Sequence, residues 1–548
     1  MPTVTLNRKV IEKLVGKKLP DEELKERISY LGTDLESIDK NEINVEIFPC
    51  RPDMLSEQGF ARAFGAFIGA KTGLPTYAVK KSDARIIVDK SVAKYRPCSA
   101  AAIVKGIKFT DEFIKELMQN QEKLHLSFGR DRKKVALGYY ILDKVAWPIV
   151  YKAEDPKKIV FKPLHFGKEI NGLQILSQHP TGRDYTHQLE GFDKFPVYYD
   201  AKGRVLSMPP IINSDDAGNI TSGVSDVLVE CSGFDQEVLN KAIAMSVAAL
   251  SDLGGEIYSV TIEYDDNKIV CPDLTPEEME VDVGRINKLL GLDLKEKEFK
   301  ALVERMNYGY SKGKVLIPAY RSDVLHEVDV AEDVAIAYGY ENFKAVIPKV
   351  STTGKEDDFE VFKRHVREIL VGLGLIECKA FHLTNKEKQT VRMRSEIEVI
   401  ELANANSQEF QVLSAWNLPL ALEILQRNKH HEYPQELFLI GAVFKKGSSE
   451  TGIVENDRLA CVLCGEGKDY TKIRQVLDYL FRSIGMEYTV AATEHSSFLE
   501  GRVGRVSCKG KNVVYMGEIH PEVLENFEID MPVCGFELNL TELFSVLE

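Results

Sequence analysis

The stretch "RSDVLHEVDVAEDVAIAYGY", Arg321 to Tyr340, gathers Asp323, Glu327, Asp329, Glu332 and Asp333, with only Arg321 and His326 nearby as counter-charges. Read as a helix from about Val328, it stacks Asp329, Glu332 and Asp333 on one face, at i, i+3 and i+4. Like charges at that spacing oppose a helix by about a few tenths of a kcal/mol per pair. A hard cation would relieve the repulsion, and magnesium takes oxygen ligands in octahedral geometry. Asp323, expected at the end of the strand "KVLIPAY", could meet the helix face around one ion. The alternative is that acidic residues in a helix's first turn answer its dipole.

A second run, "KGRVLSMPPIINSDDAGNITSGVSDVLVECSGFD", ends a strand at a Pro-Pro pair and hands over to short polar side chains. Asn213, Ser214, Glu230, Ser232 and Asp235 could line a polar pocket that positions a water. Two strands joined by a turn-rich loop account for the same pattern. Nearby, "FGRDRKKVALG" sets Arg130, Arg132, Lys133 and Lys134 before a strand, as a solvated loop or a local phosphate contact.

Other chemistry lacks its motif. GxxxxGK[ST], GxSxG, HExxH and a post-strand GxGxxG are all missing. His430 and His431 read as a solvated helix end. Cys461 and Cys464 form one isolated CxxC inside a strand-like segment, which points them to opposite faces as core cysteines. An odd total of 9 cysteines fits a reducing cytosol.

The elements that must position these residues belong to a chain of 548 residues, long enough for about three or four domains. Its 84 acidic and 70 basic side chains leave a net charge of -14, so nucleic acid would have to be met through local basic patches or a basic partner. The absence of a signal-like start or a membrane-length apolar run makes a soluble, cytoplasmic protein the expectation. Helices interleave with strands, which indicates α+β architecture. Asp53 is expected to cap a helix whose stripe is Leu55, Phe60, Phe64 and Phe67. Thr275 and Glu278 suggest a capping box. "PKVSTTGKEDDFE" reads as a junction before an amphipathic helix through Phe359, Phe362, Val366, Ile369 and Leu373.

Several stretches together resemble one family, the beta subunit of phenylalanine–tRNA ligase in its archaeal and eukaryotic form. They are "MPTVTLNRKVIEKLVG", "RPDMLSEQGFARAF", "LSMPPIINSDD", the acidic stretch ending in "AYGY", and "GEIHPEVLENFEI". The resemblance implies a multidomain α+β chain. Its parts would be an N-terminal module at 1–85, an editing-type domain at 86–265, a small magnesium-ligand domain at 268–346, and a catalytically inert class II synthetase-like module at 357–548. It implies Mg2+ on Asp323, Asp329, Glu332 and Asp333, with Glu327 outside the set.

The resemblance also implies a tetramer of two alpha and two beta chains, with ATP, phenylalanine and the activating chemistry on alpha, and contact with phenylalanine tRNA. Ser414 and Ala415 stand where an arginine is common, in keeping with an inert module. The editing domain would hydrolyse tyrosine wrongly attached to the tRNA, with Ser214, Glu230 and Asp235 nearest the tyrosyl group. Where Thr-Gly-Thr-Asp is typical, this chain has Ser232, Gly233, Phe234 and Asp235, so Phe234 is expected at a pocket wall. A freestanding editing hydrolase and a non-enzymic RNA-binding scaffold are the competing readings.

Overall fold

The computed structural model describes residues 2–350 and 352–547. The chain divides into two compact units, Met1–Ile347 and Pro348–Glu548. The division falls at the start of the polar junction read from the sequence. Both units mix helices and sheets, as the α+β expectation requires. No helix among the described residues is long and apolar enough to cross a membrane.

The first unit opens with a three-stranded sheet in which Glu42–Glu46 lies between Thr3–Asn7 and Asp34–Ile38. The helix Glu57–Phe67 packs beside it and buries Phe60, Phe64 and Phe67. Its cap is Ser56, whose hydroxyl accepts from the Gly59 N–H at 3.0 Å, and not Asp53. Asp53 sits three residues too early, in the turn Pro52–Met54, where its carboxylate takes two 2.9 Å hydrogen bonds from Arg51. Gly59 is required here, because a Cβ would stand 1.8 Å from the Asp53 carbonyl oxygen.

An eleven-stranded sheet forms the body of this unit. The strand Val227–Gly233 lies between Cys98–Lys105 and Val135–Ile141, antiparallel to both, with Glu230 opposite Ala101 and Gly138. Side chains alternate across a strand. Cys231 therefore turns to the helix Gln236–Asp252, donating its thiol to the Leu239 carbonyl, while Glu230 turns to the other face. That helix is rich in alanine, which lets its backbone lie close on the sheet.

A small three-stranded sheet follows, with Lys314–Ile317 between Glu277–Glu280 and Gly309–Ser311. Glu278 is thus a strand residue and makes no capping box with Thr275. The next helix, Val283–Leu290, is capped by Asp282. The alternation of half-buried Met279 and Val281 with exposed glutamates suits a strand edge, and pairing with Lys314–Ile317 overrides the local helix signal.

The second unit is built on a seven-stranded sheet, antiparallel apart from the pairing of Ile376–Cys378 with Gln435–Lys446, beside a small three-stranded sheet with Val412–Leu413 at its centre. One face packs on the helices Asp358–Gly372 and Tyr470–Ser483, the other on Leu418–Arg427. Cys461 belongs to the first core and Cys464 to the second, as strand alternation requires. Ser414 and Ala415 are buried, Ser414 donating to the Trp416 carbonyl at 2.8 Å. His430 and His431 are exposed at a helix end.

The helix Asp111–Leu126 carries a buried carboxyl, Glu116, which accepts from the Glu57 N–H at 3.0 Å and is pushed up to about 8 by burial. A folded-state value above the unfolded one favours folding most below the unfolded pKa, and that advantage is lost as pH rises through the folded value. Stability should therefore fall between about pH 4.5 and 8 by a few kcal/mol through this group. Urea unfolding at several pH values should show a flatter profile in Glu116→Gln.

Candidate functional site

The face of the large sheet that carries Glu230 opens into a cavity of about 380 Å³. Its floor is built by strand register. Gly138 lies directly opposite Glu230, and Tyr140, two residues on, shares its face. A Cβ at Gly138 would come within 2.8 Å of the Tyr140 hydroxyl, so the glycine keeps the floor open.

Glu230 is 3% exposed. Its Oε2 accepts from the Tyr140 hydroxyl at 3.0 Å, and its Oε1 has no protein partner. The Tyr140 oxygen also lies 2.9 Å from Ser207 Oγ and 3.4 Å from Asn213 Oδ1. Burial pushes the Glu230 carboxyl up to about 7, opposed by the Tyr140 hydrogen bond and by the nearby Tyr198 hydroxyl, which itself donates to Ser99 Oγ at 2.8 Å, and by the charge of Arg96. The group is thus poised between its two protonation states near neutral pH.

His125 lines one wall. Its Nε2 accepts from the Leu137 N–H at 2.7 Å, which assigns the ring proton to Nδ1. Burial drives its pKa down to about 3, so the ring is a neutral, fixed donor. Arg132 closes the rim. Its Nη1 donates to the Pro210 and Ile211 carbonyls at 3.2 and 2.8 Å, and its guanidinium lies 4.0 Å from the Tyr185 ring centre. The loop that places it holds Arg130, Asp131 and Arg132 in the left-handed region, at φ 46, 56 and 63°. Arg132 is therefore a structural clamp and not a solvated loop residue, whereas Arg130, Lys133 and Lys134 are exposed.

Of the three residues expected nearest a tyrosyl group, the structure puts only Glu230 in the cavity, together with Asn213. Ser214 is buried behind the wall as the cap of the short helix Asp215–Gly218. Asp235 is exposed beyond the strand end, where it caps Gln236–Asp252 through the Glu237 N–H at 2.9 Å. Phe234 is 56% exposed, under the Arg96 guanidinium, and does not reach the cavity wall. Ser232 is occupied by Arg96, whose Nε donates to its hydroxyl at 3.0 Å. Reasoning from the sequence missed Gly138, Tyr140 and His125. Alternation alone pairs Gly138 with Tyr140, but only strand register brings them to Glu230.

The acidic stretch forms the helix Glu327–Tyr338. Asp323 lies six residues past the strand Lys314–Ile317, in a loop. Its carboxylate takes two 2.8 Å hydrogen bonds from the buried Arg321, whose Nη2 also donates to Asp333 at 2.7 Å. The Tyr308 hydroxyl donates to the same Asp333 oxygen. Asp329 faces the helix start, accepting from the Leu325 and His326 N–H groups at 2.8 and 2.7 Å. Glu332 is exposed, and Glu327 pairs with Arg285. As placed, the four expected ligands do not form a common cage, because Arg321 stands where Asp323 and Asp333 converge. Among the described residues, no group of three or more His, Cys, Asp or Glu side chains is arranged to hold a metal ion.

Residues 344–540 match the family model of the phenylalanyl tRNA synthetase beta chain CLM domain, and residues 279–340 that of the tRNA synthetase B5 domain. Over 561 residues the chain is 40% identical to the phenylalanine–tRNA ligase beta subunit of Pyrococcus abyssi, covering 99% of this chain and 100% of that one. The chain belongs to the phenylalanine–tRNA ligase beta-subunit family. The beta subunit of Archaeoglobus fulgidus is 38% identical over 556 residues, covering all of both chains. The crystal structure of an N-terminal fragment of the Pyrococcus horikoshii beta subunit is similar, with a TM-score of 0.59 and 37% identity, covering 62% of this chain and 99% of that one. Family membership and the multidomain α+β fold thus agree with the resemblance seen in the sequence.

Arg321→Met would leave Asp333 and Asp323 without their cation, the costly way to break a buried pair. The expected loss is about 3–5 kcal/mol in urea unfolding of the full chain. Adding Asp333→Asn should recover part of it, because the stranded charge is then removed as well.

Proposed function

We infer that this chain acts as the beta subunit of a phenylalanine–tRNA ligase and that its Glu230 cavity removes tyrosine wrongly attached to the tRNA. The observation that carries the reading is the buried, unpartnered Oε1 of Glu230 in the cavity floor. A tyrosyl phenol donates to that oxygen; a phenylalanyl ring has nothing to donate and leaves it unpaired. A site built to hydrogen-bond a hydroxyl discriminates strongly against the analogue that lacks it. In the hydrolysis, water adds to the ester carbonyl, the bond to the ribose oxygen breaks, and tyrosine leaves a free tRNA hydroxyl. Glu230 holds the ring, the neutral His125 offers its Nδ1 proton from the wall, and Arg132 fixes the rim.

The same reading gives the chain an alpha partner that carries ATP, phenylalanine and the activating chemistry, in a tetramer of two alpha and two beta chains working in the cytoplasm on phenylalanine tRNA. Exposed apolar side chains on the second unit, among them Val371, Ile376, Phe381 and Val391, are consistent with contact to a partner chain. The buried Ser414 and Ala415, in place of an arginine, support an inert module.

Deacylation of tyrosyl-tRNA by the assembled enzyme tests the editing reading, with phenylalanyl-tRNA as control. The tyrosyl ester should be cleaved faster, and the preference should grow as pH rises through about 7, because the ionised carboxylate is the stronger acceptor. Glu230→Gln should cut the preference by about tenfold or more and flatten its pH dependence. A preference untouched by Glu230→Gln would overturn the assignment. Magnesium at Asp323, Asp329, Glu332 and Asp333 is a separate proposal, supported by the resemblance and the acid pattern; an ion shared by all four requires Asp323 and Asp333 to leave Arg321. Calorimetric titration with magnesium chloride decides it. Heat abolished by Asp329→Asn with Glu332→Gln would establish the ion, and heat unchanged by the pair would remove it.

A further inference from the structure

A second cavity, of about 280 Å³, lies where three parts of the first unit meet. The N-terminal module supplies Gln58 and Arg62, the end of the long helix Gln236–Asp252 supplies Asp252, and the small domain supplies Asn307. The loop Lys71–Pro75 forms its remaining wall and is pinned from the small domain. The Gly73 N–H donates to the Glu304 carbonyl at 2.7 Å, and the Asn307 amide reaches the Gly73 carbonyl at 3.4 Å. Meeting points between domains are where small-molecule sites concentrate.

The chemistry of the lining is asymmetric. The Arg62 side chain is 7% exposed, its guanidinium lies 4.0 Å from the Tyr320 ring centre, and its Nε and Nη2 have no hydrogen-bond partner. Its Nη1 donates to Asp252, which also accepts from the Tyr77 hydroxyl at 3.0 Å. The one carboxylate is therefore already answered by two donors. Lys71 donates to the Leu14 carbonyl at 2.9 Å and keeps two further N–H groups. With Arg62 and Asp252 cancelling, the lining carries one net positive charge, beside the apolar Leu14, Leu74 and Pro75.

We propose that this cavity binds a small organic carboxylate with an apolar body, its anionic end on Lys71 and Arg62 and its body against Leu14, Leu74 and Pro75. The single net charge matches a monoanion, whereas a phosphate monoester carries about -1.5 to -2 near pH 7. The volume lies at the lower edge of small-molecule clefts, roughly 300–1,000 Å³, and excludes a large ligand. Occupancy would tie the N-terminal module, the long helix and the small domain to one another.

Calorimetry on the full chain tests this with 3-phenylpropanoate, its neutral amide 3-phenylpropanamide, and inorganic phosphate. The carboxylate should bind at least about tenfold more tightly than the amide or phosphate. Lys71→Met, in an exposed loop, should weaken it by a similar factor, and Lys71→Arg should restore it. The unfolding temperature of the wild type should rise with carboxylate concentration, and that of Lys71→Met should rise much less. Absence of carboxylate binding, equal binding of the amide, tighter binding of phosphate, or indifference to Lys71→Met would each overturn the proposal.

Discussion

A guanidinium leaves water at a cost of several kcal/mol unless a carboxylate and further hydrogen bonds go with it. The first unit is organised around three arginines that each meet a carboxylate. Arg51 takes both oxygens of Asp53, Arg62 takes Asp252 and Tyr77, and Arg321 takes Asp323 and Asp333. Each partner fixes a backbone. Asp53 holds the turn before the helix Glu57–Phe67, Asp252 the end of the long helix, and Asp333 the middle of the helix Glu327–Tyr338. Tyr320 joins two of them, being next in sequence to Arg321 and lying with its ring 4.0 Å from the Arg62 guanidinium. The sites are coupled through contact, so removing one charge strands another in a place water does not reach.

This network fixes the frame against which the large sheet holds its cavity. The helix Gln236–Asp252 packs on the strand Val227–Gly233 through small side chains and ends in the Asp252 that Arg62 holds. A shift of that helix would move the strand beneath it, and with it Glu230. The helix is thus an element shared by the arginine cluster and the sheet that carries the cavity.

Much of this was legible in the sequence, and the losses follow a physical rule. Local signals held: the acidic helix begins within a residue of its expected start, the phenylalanine stripe is buried, and Cys461 and Cys464 face opposite cores. The run from Lys202 to Asp235 stands out for its polar residues, and of these Asn213 and Glu230 line the cavity. What failed depends on partners far along the chain. "LGYYIL" reads as an ordinary strand until register sets Gly138 opposite Glu230. Ser214 and Asp235 have the residue types of a catalytic site, but the same types are the preferred helix caps, and capping is what they do here. Arg321 was visible as a nearby counter-charge; its reach to Asp333, twelve positions away, depends on a loop turning back.

Glu230 and Asp333 show how the same buried group serves different ends. Asp333 receives a guanidinium and a phenol, so its charge is answered within the fold. Glu230 receives the Tyr140 phenol on one oxygen and no fixed cation on the other, so burial lifts its pKa to about 7. A protein selected only for stability would answer that oxygen or replace the residue, because an unpaired buried polar atom costs about 1–3 kcal/mol. The cost is tolerable where the missing donor arrives with a ligand. Arg96, whose charge acts on Glu230, donates to Ser232 and makes no ion pair with the carboxyl. The small glycine at position 138 then decides the matter sterically, since any side chain there would crowd the Tyr140 hydroxyl and occupy the space in which a donor must fit.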